Sequence, residues 1–354
     1  MNKKRKERVF RDAYMKNFKL ILMGLVILTL HFTPYTLHKC FASFEDIGVG
    51  ARPLGMGNAF CAIADDPNAF LYNPAGLAQL KRLQISTMYA NLYPMLSDGS
   101  GISNNFISVA YPIPVYILMP ASFPEWATKD GWGTVGFGWF NLGTNSDPSR
   151  SAATYKENTY IFTYAKDLEL IMLGVSMKIL TKEYGQNYWT NMNPVFANGK
   201  NAVGIGFDVG ALYKMPGDKL TLGMQLKDIN QPDIHLVYAS PVPLTFRFGA
   251  SYKLTPVWSF DRITTSSDFT FRDNDFKLYS GIEGWFVDKN IALRFGFGLG
   301  NGFSNVALGA SYQLTEEVYN NDFRLDYAFV YPFGIQPTGG THRISLTMGL
   351  GEVK

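Results

Sequence analysis

The feature that most restricts the fold is an alternation of period two that runs from about Leu83 towards the end of the chain. Ile291, Leu293, Phe295, Phe297 and Leu299 fall on one side of an extended segment, and Ala292, Arg294, Gly296 and Gly298 on the other. The split recurs at Leu244/Phe246/Phe248/Ala250/Tyr252 against Thr245/Arg247/Gly249/Ser251/Lys253. It recurs again at Val203/Ile205/Phe207/Val209/Ala211 and at Ile344/Leu346/Met348/Leu350. Successive strand side chains point to opposite faces, so each segment has one face of large apolar residues and one of glycine, small polar groups and charges. A soluble sandwich also alternates, but its solvent face would carry more Lys, Glu and Thr and less Gly. The lumen of a closed barrel accepts small residues and lets charges pair or meet water. Only 17% of the residues are charged, against roughly 25% in an ordinary soluble domain. The expected fold is all-β: a transmembrane antiparallel barrel with an N-terminal hatch of short helices, the alternative being a soluble secreted β protein.

Fourteen candidate strands can be placed, an even number as single-chain bacterial barrels require. They centre on residues 83–91, 104–111, 132–140, 158–165, 170–180, 201–213, 219–227, 243–254, 262–271, 275–286, 290–299, 303–314, 321–331 and 341–350. Long gaps at 92–103, 141–157, 181–200, 228–242 and 332–340 suit outer loops, and Lys166–Glu169 and Lys214–Asp218 suit short inner turns. The 112–131 gap is long for an inner turn, and 272–274 and 300–302 are short for outer loops. The stretch from Tyr111 to Trp126 is apolar and rich in proline, which removes ladder donors.

Residues 1–42 read as a signal peptide, with an uncleaved membrane anchor as the alternative. A basic run precedes about eleven apolar residues from Leu20 to Leu30, too few to span a bilayer, and Cys40-Phe41-Ala42 places small residues before a cleavage point. This segment holds nine basic and two acidic residues, leaving 23 basic and 27 acidic in the remainder. A mildly acidic body has no footprint for nucleic acid. With two cysteines in all, Cys40 and Cys61, removal of the leader leaves no disulfide to form.

Residues 43–82 form the candidate hatch ahead of the barrel at 83–354. Asp66-Pro67 and Asn73-Pro74 each set a capping side chain before a proline, a helix-start signal repeated seven residues apart. The segment is too short to bury a core of its own, and lodging in the barrel would supply one.

Gly50-Ala-Arg-Pro-Leu-Gly-Met-Gly-Asn-Ala-Phe60, Ala64-Asp-Asp-Pro-Asn68 and Tyr72-Asn-Pro-Ala-Gly-Leu77 resemble the N-terminal signature of the PorV/PorQ family, which is related to the FadL long-chain fatty-acid transporters. Gly281–Trp285 with Leu293–Gly296 resembles a second motif, and Leu325–Phe329 and Thr341–Ser345 resemble the closing strands. The resemblance implies a fourteen-stranded barrel with an N-terminal hatch in the outer membrane of a Gram-negative cell. It also implies one of two roles. FadL relatives pass hydrophobic molecules, while PorV relatives serve type IX protein secretion. Expected partners are therefore outer-membrane lipid and either a hydrophobic ligand or secretion-system subunits.

The candidate site has two parts: the hatch motif Asp65, Asp66, Pro67, Asn73, Pro74, Ala75 and Gly76, and the inward charges Arg247, Glu283, Arg294, Arg324, Asp326 and Arg343. Those charges form either a polar path or a paired structural network. Arg294 and Arg324 lie on late strands near Glu283 and Asp326 and are placed to pair with them. Enzyme chemistry is not expected. Gly131–Gly136 matches a dinucleotide pattern but opens a strand rather than a helix. No G-x-S-x-G occurs, and His235 and His342 lack partners at ligand spacing, so neither metal nor cofactor is expected.

Overall fold

The computed structural model describes residues 44–95, 101–114, 131–145, 154–197, 199–255, 257, 259–316, 321–335 and 338–351. The leader expected at 1–42 lies outside these residues, as does most of the proline-rich stretch, from residue 115 onward. Fourteen strands follow in chain order: β1 Leu83–Leu92, β2 Gly101–Pro112, β3 Thr134–Asn145, β4 Tyr155–Asp167, β5 Met172–Tyr184, β6 Asn201–Lys214 and β7 Leu220–Lys227, then β8 Thr245–Leu254, β9 Phe260–Arg272, β10 Asp275–Phe286, β11 Ile291–Gly300, β12 Phe303–Glu316, β13 Asn321–Pro332 and β14 Thr341–Leu350. Each pairs antiparallel with its sequence neighbours, and β1 pairs with β14 from Leu83↔Leu350 to Asn91↔His342, so the sheet closes on itself. Closure leaves the sheet without edge strands.

All fourteen expected strands are present. The wall at β2–β5 reaches several residues further than the alternation suggests. There the sequence is polar, so no apolar face marks the strand. Side-chain hydrogen bonds across strands take over, with Asn141 Nδ2 donating to Asn158 Oδ1 at 2.9 Å and Asn105 Nδ2 to Asn141 Oδ1 at 3.3 Å. We call the end where β1 begins and β14 ends the base, and the opposite end the loop mouth. The β9–β10 turn at the loop mouth has only two residues, Asp273 and Asn274, at φ 46° and 63°, the left-handed pair that a tight hairpin requires.

The faces follow the pattern. On β11, Leu293, Phe295 and Leu299 are about half exposed (53%, 48% and 48%), while Ala292 and Arg294 are buried. Phe162, Val175, Ile205, Phe248 and Ile344 on other strands also point outwards. An apolar belt this continuous suits acyl chains rather than water. Among the described residues no helix is long and apolar enough to cross a membrane.

The protein's core lies inside the wall. The hatch folds as α1 Ala51–Gly55, α2 Ala69–Tyr72 and a 3-10 turn at Pro74–Gln79. Phe60, Phe70, Tyr72 and Leu77 of the hatch form one buried cluster with Met88, Phe106, Phe140 and Ile161 of the wall. The hatch runs the length of the lumen. Near the loop mouth, the backbone N–H of Phe44 donates to Glu157 Oε1 at 3.0 Å and Asp46 lies 3.6 Å from Lys227. At the base, Arg82 pairs with Asp322 just before the chain enters β1.

Candidate functional site

The two proline-led caps of the hatch behave differently. Asn73 caps the 3-10 turn as its sequence suggests, its Oδ1 accepting from Ala75 N at 3.2 Å with Pro74 in the first position. Its amide also ties the turn to its surroundings, donating to Cys61 O at 3.0 Å and to Ala211 O of β6 at 2.9 Å. Asp66-Pro67 does not open a helix directly. Asp66 Oδ1 accepts from Asn68 N at 3.0 Å in a local turn, and α2 starts at Ala69 with Asn68 making no side-chain cap. The second oxygen, Oδ2, accepts from two arginines.

Those arginines belong to a buried ion network that joins hatch to wall. Arg52 of α1 donates to Asp65 and Asp66 within the hatch and to both oxygens of Glu283 on β10. Glu283 Oε2 also accepts from Arg294 Nε of β11 at 2.7 Å. Arg294 lies 3.5 Å from Asp326 on β13, with Ser311 of β12 hydrogen-bonded to both. Arg324 closes the circuit, holding Asp326 at 2.9 Å and Asp66 at 2.7 Å. Cross-strand register explains the wall pairs, because Glu283 faces Arg294 directly between β10 and β11. Burial alone would raise the Asp66 carboxyl, but Arg324 and Arg52 outweigh it and hold the group below the usual carboxylate range.

Six of the sequence-derived residues, Asp65, Asp66, Glu283, Arg294, Arg324 and Asp326, therefore meet in one network. Arg247 and Arg343 do not join it. Arg247 lies between the rings of Tyr72 and Tyr279, at 5.1 and 5.5 Å, with Asp268 at 3.6 Å. Asp268 in turn accepts from the backbone N–H groups of Phe60 and Cys61 at 2.9 and 2.8 Å. Arg343 donates to the carbonyls of Gly48 and Ile47 at 3.1 and 3.2 Å. Pro67, Pro74, Ala75 and Gly76 are buried backbone-shaping positions. Sequence reasoning missed Arg52, the centre of the network, and Asp268. Arg52 sits in a glycine-rich stretch without periodicity, and its signal was the Ala64-Asp-Asp pair that it serves.

Glycines let the hatch backbone touch the wall. A Cβ on Gly296 of β11 would fall 2.2 Å from Gly57 N, and one on Gly281 of β10 would fall 2.3 Å from Met56 O. These are main-chain atoms that cannot swing aside. At the base a polar cavity of about 160 Å³ remains, its lining including Arg52, Asp65, Arg262, Trp285, Arg324 and Gln84. A smaller space of about 30 Å³ lies at the loop mouth between Phe44, Leu71, Phe140, Leu180 and Lys178. Among the described residues no cluster of three metal-ligating side chains occurs.

No family model matches the sequence, and no curated protein matches it. Solved structures do. The chain is similar to the Ralstonia pickettii toluene transporter TbuX at 14% identity and a TM-score of 0.55, over 86% of this chain and 98% of that one. It is similar to a variant of the monoaromatic hydrocarbon channel TodX at 11% identity and a TM-score of 0.54, over 87% of this chain and all of that one. A Pseudomonas aeruginosa FadL homologue matches at 12% identity and a TM-score of 0.50, over 84% and 97%. At these identities the likeness is one of fold, that of the closed antiparallel barrel.

Proposed function

We propose that the protein is an outer-membrane channel of FadL-like type that passes small hydrophobic molecules. The observation that carries this reading is a closed fourteen-stranded wall, apolar outside and plugged inside by its own N-terminal segment, in a fold shared with a toluene transporter and a monoaromatic hydrocarbon channel. An apolar belt supports a setting in lipid, to which a leader over residues 1–42 would deliver the wall. The loop mouth then faces outwards and the base, where β1 begins and β14 ends, faces the periplasm. The ion network acts as the anchor of the hatch, and Asp65, Asp66 and Asn73 are its shaping residues rather than reactants. The test is uptake of a labelled fatty acid or of toluene into liposomes carrying the purified protein. Uptake faster than in empty liposomes supports the channel, and uptake at the empty-liposome rate argues against it.

A second reading, a PorV-like scaffold in a secretion system, is favoured by one observation. The hatch backbone packs directly on the wall at Gly296 and Gly281, and among the described residues the cavities at the base and the loop mouth are small, about 160 and 30 Å³. Membership in the PorV/PorQ family would go with this role. Affinity isolation from native membranes should then recover secretion subunits or cargo, and a clean monomer argues against it.

A further inference from the structure

At the loop mouth the wall is uneven. Strand β6 has fourteen residues and β7 eight, and the two pair only from Val209↔Leu226 to Lys214↔Thr221. The first half of β6 therefore has a ladder partner on its β5 side alone. The chain leaves β7 at Asp228, which takes a left-handed conformation (φ 57°) and turns the following segment away from the strand line. Three bonds tack the segment to β6, with Ile229 N donating to Phe207 O at 2.9 Å, Asn230 Nδ2 to Ile205 O at 2.7 Å and Phe207 N to Asn230 Oδ1 at 3.1 Å. Residues 232–242 then form a small loop closed by Val242 N to Pro232 O at 2.9 Å and Ile234 N to Ser240 O at 3.1 Å.

This loop carries Ile234 and Val242 onto the lumenal side of the wall. Both are buried, in a cluster with Leu180 of β5 and Ala202 of β6, and Phe44 and Leu236 pack against it. Gly204 makes room, because a Cβ there would lie 2.8 Å from Ile234 Cγ1. The fastening is polar. Lys178 of β5 reaches Asp228 Oδ1 at 2.6 Å and Asp208 Oδ1 of β6 at 2.8 Å, and Asp228 N donates to Asp208 Oδ1 at 2.8 Å. All three side chains are buried, so one ammonium secures the turn from which the segment departs.

We infer that Ile234 is the resting occupant of an apolar slot at the loop mouth, and that a small apolar molecule takes this slot when the Lys178 clasp opens and segment 228–244 swings out. The slot is lined by Leu180, Ala202 and Phe44, with Leu71 and Phe140 bordering the 30 Å³ space beside it. An isoleucine side chain is itself a small branched hydrocarbon, so the slot already fits that chemistry. The clasp sets the balance: it gains nothing from an apolar ligand and must open for one to enter. This deepens the proposed channel and rests on it only for the purpose of the slot.

The test places a thiol at the buried position, Ile234→Cys in a Cys40→Ser background, and follows maleimide labelling of the purified protein in detergent. Labelling is expected to be slow with Lys178 in place and at least tenfold faster with Lys178→Met, while Cys61 stays unlabelled in both. Equal rates overturn the inference. So does labelling of Cys61 in step, since hatch and wall would then be loosening together. If Lys178→Met does not fold, Asp228→Asn gives the same two readings. With the clasp intact, toluene is expected to accelerate labelling, and an unchanged or slower rate removes the apolar slot. Liposome uptake is scored separately. Probe-accelerated labelling without uptake leaves the slot standing and removes the channel.

Discussion

Arg52 of the hatch and Glu283 of β10, 231 residues apart in sequence, meet as a fork: Nε donates to Oε2 at 2.8 Å and Nη2 to Oε1 at 3.0 Å. Both side chains are buried. A buried pair of this kind is weak as net stabilisation, since each ion has left water, but strongly destabilising when one half is removed. Its use is registration, setting where α1 sits along the wall of β11–β14.

Glu283→Leu should therefore cost about 3–5 kcal/mol by leaving Arg52 and Arg294 short of a carboxylate in a buried site. Urea unfolding in detergent reads the change. The double variant Arg52→Met/Glu283→Leu should recover part of the loss, and strict additivity of the two changes would show that the pair does not act as a unit.

Gly296→Ala and Gly298→Ala separate the two ways in which space is limited. At Gly296 the added carbon meets the Gly57 main chain at 2.2 Å, while at Gly298 it meets side chains, Phe303 Cε1 at 2.9 Å and Asn305 Oδ1 at 3.0 Å, which can move. Overpacking costs about 1–3 kcal/mol or more where nothing yields. Gly296→Ala should be the more destabilising by refolding yield and midpoint. On the opposite face, Phe297→Arg should cost about 2–4 kcal/mol near the bilayer midplane.

Acid should loosen the hatch before it unfolds the wall. Asp66 binds its proton more weakly folded than unfolded, because Arg324 and Arg52 hold it ionised against the opposing effect of burial. Its stabilising contribution is therefore complete above the ordinary carboxylate value of 3.8 and is lost as pH falls below that value, through the lower folded one. Hydrogen exchange of residues 51–72 should rise below pH 3.8 in the native protein, and Asp66→Asn should remove that step.

Cys61 should resist thiol reagents at neutral pH. Its side chain is fully buried in the hatch, and burial pushes the thiol well above its ordinary range. Reaction with a maleimide should follow unfolding and not precede it.

Asn73→Ala removes the cap on Ala75 N and leaves the Cys61 and Ala211 carbonyls without their donor. A cap is worth about 0.5–2 kcal/mol and an orphaned buried acceptor about 1–3 kcal/mol. Asn73→Asp keeps the cap but turns a carboxylate oxygen onto the Cys61 and Ala211 carbonyls in a fully buried site, so its loss of stability in the same urea assay should equal or exceed that of Asn73→Ala.

Much of this molecule is written locally. Strand β11 reads directly from Leu293, Phe295 and Leu299 against Arg294 and Gly296, because a strand's faces depend only on residue parity. The pairing of Glu283 with Arg294 also follows from strands adjacent in sequence. The extensions of β2–β5 were hidden because Asn105, Asn141 and Asn158 hold them by side-chain hydrogen bonds that leave no apolar pattern. The place of Arg52 was hidden for a different reason. A lone arginine in a glycine-rich segment has no period, and its partners lie 13, 14 and 231 residues away. What the sequence by itself determined is the wall: strand number, the outward apolar side and the hairpin order, all set by short-range alternation and turn chemistry. Only the tertiary structure decided how the lumen is filled: which glycine meets the hatch backbone, which carboxylate Arg52 takes and where Ile234 lodges. Those outcomes depend on closure of the barrel, which brings β1 to β14 and sets α1 against β11–β14, and no local pattern encodes distances across a closed lumen.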